Sequence, residues 1–451
     1  MTFVTEPETV QAVHAHAPET PQAPARWSLA TRIALRFVVI YTTGYVLLTQ
    51  MFGGLVVLPF GLNIPAPGAA WSVTTTVNWV ATRVLKFQEP LVQFSGSGDK
   101  AIDWSFCVAL LVLSGVLTIA WSFAARGRLA HPGVHKWFRL FLRFSLGATM
   151  LSYGMAKVIP LQMSYPSFRR LLEPYGDFSL MGVLWAKLGA SPSYEIFTGI
   201  VETLCAVLLF IPGLTIVGAL MTFATATQIF MLNMTYDVPV KLFSFHLIVF
   251  SLVLLAPDMR RLCRVVVFRK ATAAAPEPPL AKSLRTRRIL VAAQLVLGTW
   301  LIWSNVQGSR EGWYQYGGGA PKPALYGIWQ IDRMSIDGVE RAPLVTDYDR
   351  WRRMLIEGSF GISFQRMDNT FQFAPGKIDV ATKTIAFTQG QGDQAREVGR
   401  FTYEQPSPDR LVAHGLLNGK QMRLETSLVD HTHFNLVKSH FRFVQERPFN
   451  R

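Results

Sequence analysis

One carboxylate, Glu202, stands alone in an apolar run long enough to enter a bilayer, and a later segment reads Asn233-Met-Thr-Tyr-Asp237-Val-Pro-Val-Lys241-Leu-Phe-Ser-Phe-His246. Charges inside hydrocarbon are expensive unless they are paired, neutralised or wetted, so their retention points to a shared polar site. Tyr153 and Lys157 lie four apart on another apolar run and so share one helix face. Counted inward from Tyr194 at 1.5 Å per residue, Glu202 is roughly 12 Å below the outer surface of a ~30 Å hydrocarbon core. His246 and Gln228 fall at comparable depth, which puts the whole set in the outer half. The chemistry expected is proton exchange at Glu202 and His246, with Tyr153, Lys157, Gln228, Asn233, Asp237 and Lys241 holding a ligand. Each residue also has a plainer reading. Lys157 can snorkel to headgroups, Asp237 can cap the next helix, Lys241 can pair with Asp237 or reach lipid phosphate, and His246 can bond a neighbouring helix. Glu202 resists such a reading, because at that depth it needs neutralising or a cation, and Lys157 and Lys241 are the nearest.

The frame is read from composition. Half of the 451 residues are apolar, 16% are charged and the net charge is +15. The basic residues sit beside the ends of hydrophobic runs instead of spreading over one polar surface, which favours a membrane protein over a nucleic-acid binder. Seven apolar runs, at 33–56, 104–124, 137–159, 196–211, 214–234, 240–256 and 289–303, predict seven transmembrane helices. Arg and Lys cluster in the loop after the second run and in the loop after the sixth, so both loops are expected in the cytoplasm. That places the N-terminus inside and the C-terminal domain outside a bacterial inner membrane. The expected division is a disordered tail at 1–27 with no cleaved signal peptide, two helices with an outer loop at 28–136, a four-helix core at 137–265, a basic linker at 266–288, a seventh helix at 289–304 acting as a tether, and a β-domain at 321–451. Amphipathic stretches at 73–87 and 178–188 are expected to lie along the interface or dip into it.

After Gly317 the pattern changes to short alternating runs, at 327–334, 361–366, 384–387, 400–403, 411–417, 421–428 and 435–444, which predict a small antiparallel β-barrel. Asn418-Gly419 suits a tight hairpin turn. Leu325-Tyr-Gly-Ile-Trp329 resembles the first strand of lipocalin-like barrels. Trp329, Phe360, Phe364, Phe371, Phe373, Phe387 and Phe401 are expected to fill the barrel core. His414, His431 and His433, and the separated Cys107, Cys205 and Cys263, form no metal-ligand pattern, so no metal site is expected.

Arg143-Phe-Ser-Leu-Gly147, Tyr153-Gly-Met-Ala-Lys157, the Glu202 helix, Asp237-Val-Pro-Val-Lys241-Leu and Pro257-Asp-Met-Arg-Arg261-Leu together resemble the DoxX/DoxD-like four-helix membrane family over about residues 137–262. The resemblance implies a four-helix core with an outward-facing polar pocket. Some members of that family are subunits of a thiosulfate:quinone oxidoreductase and others partner redox enzymes. The expectation is therefore a redox-associated, quinone-interacting membrane subunit, with any catalysis that of an oxidoreductase complex. Quinone carbonyls need donors and reduction needs protons, which these residue types supply. No flavin, haem or cysteine-pair motif delivers electrons, so a partner enzyme would. The alternative is a non-catalytic anchor or assembly protein whose β-domain takes a small apolar ligand or an envelope protein partner. The chain departs from the short family form by two helices before the core, and by a seventh helix and a β-domain after it.

Overall fold

The computed structural model describes residues 27–57, 64, 67–91, 98–273, 277, 279–390, 396–439, 442–448 and 450; the predicted tail lies outside them except for Trp27. Helix α1 (Leu29–Leu48) starts where the Ser28 hydroxyl accepts the Thr31 N–H, and a short α2 (Met51–Leu55) follows. The first amphipathic stretch forms α3 (Trp71–Trp79), which leads to α4 (Ala101–Ala124). Next come α5 (Pro132–Val158), α6 (Phe168–Leu172), α7 (Leu180–Gly189, the second amphipathic stretch) and α8 (Pro192–Phe210). Both α5 and α8 open on proline, whose missing N–H is one of the unpaired donors of a first turn. The membrane part finishes with α9 (Thr215–Thr235), α10 (Lys241–Leu255), α11 (Met259–Leu262) and α12 (Leu284–Gln315).

Six helical stretches among the described residues are long and apolar enough to cross a membrane, so the chain is a multi-pass membrane protein. They coincide with six of the seven predicted runs; the remaining run is α5. At 27 residues α5 is about 40 Å long, ample to cross. Its mean hydropathy is lowered by Arg143 and Lys157, which it tolerates because fourteen of its residues, both of these included, are buried by protein. Helices α5, α8, α9 and α10 pack in a closed ring, each against the next, which is the expected four-helix core. Helices α1 and α4 pack together, and α2 lies on α5. The last helix is longer than predicted, at 32 residues, and more than a tether: it packs on α5 and α8, where Gly298 accepts the Phe210 ring.

The C-terminal domain is an antiparallel meander of β1 (Gly327–Ile336), β2 (Val339–Glu340), β3 (Trp351–Gly358), β4 (Gly361–Arg366), β5 (Phe371–Asp379), β6 (Thr384–Gln389), β7 (Arg396–Ser407), β8 (Arg410–Leu417) and β9 (Lys420–Val429). Pairing of β1 with β9, from Ile328↔Val429 to Ile336↔Met422, closes eight strands into a barrel, with the two-residue β2 beside β1. Asn418 and Gly419 take φ of 52° and 80°, the positive values the β8–β9 hairpin needs. Trp329, Phe364, Phe387 and Phe401 fill the interior at no more than 1% exposure, whereas Phe360 and Phe373 point outward and Phe371 is only half-buried. The predicted strand at 435–444 does not form among its described residues, since β1, where it would have had to pair, is already taken by β9. Asp430 instead accepts the Thr432 N–H, and the chain turns into α13 (Asn435–Lys438). The barrel docks on α6: Phe168 is buried with Ile328 and Leu355, its N–H donates to Glu357, and Arg169 stacks on the Phe371 ring at 5.3 Å.

Candidate functional site

Two glycines build the site. A Cβ on Gly199 would stand 2.6 Å from the Val158 nitrogen and 2.7 Å from the Gly154 oxygen, and a Cβ on Gly154 would meet the Thr203 nitrogen at 2.8 Å. Small residues at this crossing let the α5 and α8 backbones touch, as in other membrane helix pairs. Lys157 lies three residues after Gly154, and Glu202 three after Gly199. Because the two helices run antiparallel, these steps go in opposite directions: Lys157 comes beside Gly199 and Glu202 next to the Gly154–Thr203 contact, so the two side chains meet across the narrow gap. Lys157 Nζ donates to Glu202 Oε2 at 2.8 Å, with the side chains only 9% and 3% exposed. Lys157 Nζ also lies 3.3 Å from the Tyr153 carbonyl oxygen and 5.7 Å from the centre of its ring.

The ion pair lies in the wall of a cavity of about 460 Å³ enclosed by α5, α7, α8, α9 and α10. Most of the lining is apolar, including Met150, Leu184, Trp185, Val201, Phe243 and Leu247, with Tyr153, Gln162, Gln228 and Asn233 as polar points. Phe197 of α8 and Ala224 and Gln228 of α9 line it and are exposed. These positions lie within apolar helices, so the cavity opens sideways toward the lipid-facing surface. Pockets of roughly 300–1,000 Å³ with apolar walls and a few placed polar groups are typical small-molecule sites.

Five of the eight sequence-predicted residues, Tyr153, Lys157, Glu202, Gln228 and Asn233, line this cavity. Tyr153 accepts a hydrogen bond from Gln50 of the α1–α2 junction at 3.2 Å, and Asn233 donates to Ser244 Oγ at 3.0 Å. His246 does not reach the cavity. Phe243, Ser244 and Leu247 are the α10 residues that do, and position 246 points away from that face. Its ring instead stacks on Tyr45 at 3.9 Å, with the Tyr41 hydroxyl 2.8 Å from Nε2 and the Leu242 carbonyl oxygen 2.7 Å from Nδ1. Asp237 and Lys241 form a separate cluster: Lys241 Nζ donates to Asp237 at 2.9 Å and lies 3.8 Å from Asp99. Asp237 takes φ of 51° with its carboxylate largely exposed, and does not cap α10. That part belongs to Asp99, which accepts the Lys241 and Leu242 N–H groups at 2.9 and 2.8 Å.

Sequence reasoning missed Asp99, Gln162, Trp185 and Glu195. Glu195, 1% exposed, accepts the Met163 N–H at 2.9 Å and ties the α5–α6 connection to the first turn of α8. A carboxylate four residues into a helix that begins with proline reads as an interface residue, and Asp99 is 142 residues from the helix it caps. Neither carries a local signal.

Fold and site together define a multi-pass helical membrane protein with a buried lysine–glutamate pair on a laterally open cavity, carrying a closed β-barrel. A bacterial relative, "Uncharacterized protein YwoB" of Bacillus subtilis (strain 168), is 34% identical over 124 residues, which is 28% of this chain and 76% of the relative. The chain belongs to the family of YwoB. No protein-family profile matches it, and no solved structure does.

Proposed function

We propose that the chain is a quinone-interacting membrane subunit of a redox complex, in the DoxX/DoxD-like manner that its four-helix core suggests. In this reading it sits in the bacterial inner membrane with its N-terminus in the cytoplasm and its barrel outside. The observation that carries the reading is the lateral mouth: a lipophilic ligand can enter from the bilayer and meet a buried ion pair inside an otherwise apolar cavity. Reduction of a quinone to a quinol takes up two electrons and two protons, and the electrons would come from a partner redox enzyme. The residues of this chain supply the rest. Lys157 Nζ, the Gln228 amide and Asn233 Nδ2 are donors for carbonyl oxygens, Trp185 and Phe243 offer flat apolar walls, and the Lys157 ammonium can pass a proton to a reduced quinone oxygen and then regain one, the pair carrying one net negative charge on Glu202 in between.

The test is titration of the purified full-length protein with a short-chain quinone, followed by quenching of its tryptophan fluorescence. Saturable quenching is expected, weakened strongly by Lys157→Met and by Ala224→Trp, which places a ring in the mouth. Quenching that never saturates, or that both variants leave unchanged, would overturn the proposal.

Docking of the barrel on α6 supports a second reading, a non-catalytic anchor that presents the barrel to an envelope protein partner. Because aromatic side chains fill the barrel interior, its outer surface is the part offered to such a partner.

A further inference from the structure

At the far end of α5 from Lys157, a second cavity of about 410 Å³ lies between α5, the α8–α9 turn and α12. Its walls carry Lys136, Arg139, Arg143 and Arg287. Against these four cations stand two carboxylates: Asp258, 3.1 Å from Arg139, and Glu277, 3.3 Å from Arg139 and 4.0 Å from Arg143. Asp258 is also shared with Arg261 at 3.2 Å, so among the described residues at least two positive charges are left over. Arg143, 4% exposed, is fixed by Thr215 Oγ1 at 3.3 Å and by Gln294 Oε1, with its buried Nε unpartnered among the described residues. Arg287 on the rim is exposed, and its guanidinium makes no hydrogen bond or ion pair among the described residues. The cavity does not end at these polar groups. Through Leu140, Leu290 and Gln294 it adjoins an apolar groove of about 400 Å³ between α5 and α12, walled by Trp137, Phe141, Phe144 and Leu297.

A surplus of cations beside a groove of hydrocarbon dimensions fits one kind of molecule, and we propose that this is a binding site for an anionic glycerophospholipid. The phosphate lies among Lys136, Arg143 and Arg287, and an acyl chain runs along the groove. Basic pockets between membrane helices hold lipid headgroups through this combination of charge and apolar contact. A free phosphate ion would share the headgroup chemistry but would leave the adjoining groove without a purpose.

The experiment uses full-length protein, delipidated in neutral detergent, whose thermal unfolding is followed during titration with phosphatidylglycerol, phosphatidylcholine or inorganic phosphate. Phosphatidylglycerol is expected to raise the unfolding temperature saturably, and the other two to do little. Arg287→Gln, at an exposed position, should raise the half-maximal lipid concentration roughly fivefold, as expected for one basic side chain near a lipid phosphate. Arg287→Lys should restore most of the response. Ala293→Trp, which fills the exposed groove, should suppress the response to lipid. Both Arg287→Gln and Ala293→Trp should unfold at the wild-type temperature when no lipid is added. Equal stabilisation by phosphatidylcholine, a full response to inorganic phosphate alone, or unaltered titration of both variants would overturn the proposal.

Discussion

Replacing Lys157 with methionine removes the cation from a pair whose atoms lie 2.8 Å apart with both side chains over nine-tenths buried, and leaves Glu202 alone in an apolar wall. Breaking a buried pair in this way costs about 3–5 kcal/mol. The escape route has a similar cost, since neutralising a carboxylate of ordinary pKa near 4.3 at pH 7 takes about 3.7 kcal/mol. A loss of about 3–4 kcal/mol is therefore expected for Lys157→Met. Glu202→Gln is milder, because the amide oxygen still accepts from Lys157 and the Tyr153 carbonyl oxygen remains at 3.3 Å; the expected loss is about 1–2 kcal/mol. The double variant buries only neutral groups and should lose no more than about 2 kcal/mol, well short of the sum of the single losses. Its coupling energy should thus be about 3 kcal/mol. The assay is unfolding of the full chain in mild detergent, monitored by tryptophan fluorescence across all four members of the cycle. Strictly additive single effects would refute the reasoning, for they would mean that the two side chains do not stabilise each other.

Other positions give independent tests. Gly199→Ala puts a methyl 2.6 Å from the Val158 nitrogen, so α5 and α8 must separate at a cost of about 1–3 kcal/mol, whereas Gly115→Ala in α4 meets open space and should be neutral or stabilising. Equal stability of the two variants would contradict the close crossing. Asp99→Ala removes both capping bonds from α10 and should cost about 1–2 kcal/mol in the same unfolding assay, while Asp237→Ala should cost much less. In the barrel, burial pushes the Glu357 carboxyl up from 4.5, against the downward pull of the Phe168 and Arg169 N–H groups. A proton bound more tightly when folded contributes stability that is fully present below the unfolded value and is lost as pH rises through the folded value. Glu357→Gln should therefore flatten the pH dependence of unfolding over that window, and superimposable pH profiles for the two proteins would count against the assignment.

Much of the architecture was legible because hydrophobic length and alternation are local signals. The helical runs, the two amphipathic stretches at α3 and α7, and the Asn418-Gly419 hairpin all appear where periodicity and turn chemistry put them. The pairing of Glu202 with a cation was within reach too, with Lys157 and Lys241 as the candidates, and the structure selects Lys157. Helix rotation was not legible: depth along an axis is read from residue counts, but the face presented by His246 depends on how α10 packs against α1. That is why a histidine at the right depth ended up stacked on Tyr45. A barrel was expected, but which strands close it was hidden. The β1–β9 pairing used up the edge on which a strand at 435–444 would have needed to form, and Asp99 caps a helix far along the chain.

The most direct test of the central claim, that the Lys157–Glu202 cavity receives a quinone from the bilayer, is photo-crosslinking in membranes with an azido-quinone followed by peptide mapping. The account predicts labelling confined to the cavity-lining parts of α5, α7, α8, α9 and α10, residues 197–202 and 224–233 among them, abolished by excess unlabelled quinone and by Ala224→Trp. Labelling that falls on α1 and α4, or that excess quinone does not displace, would contradict it.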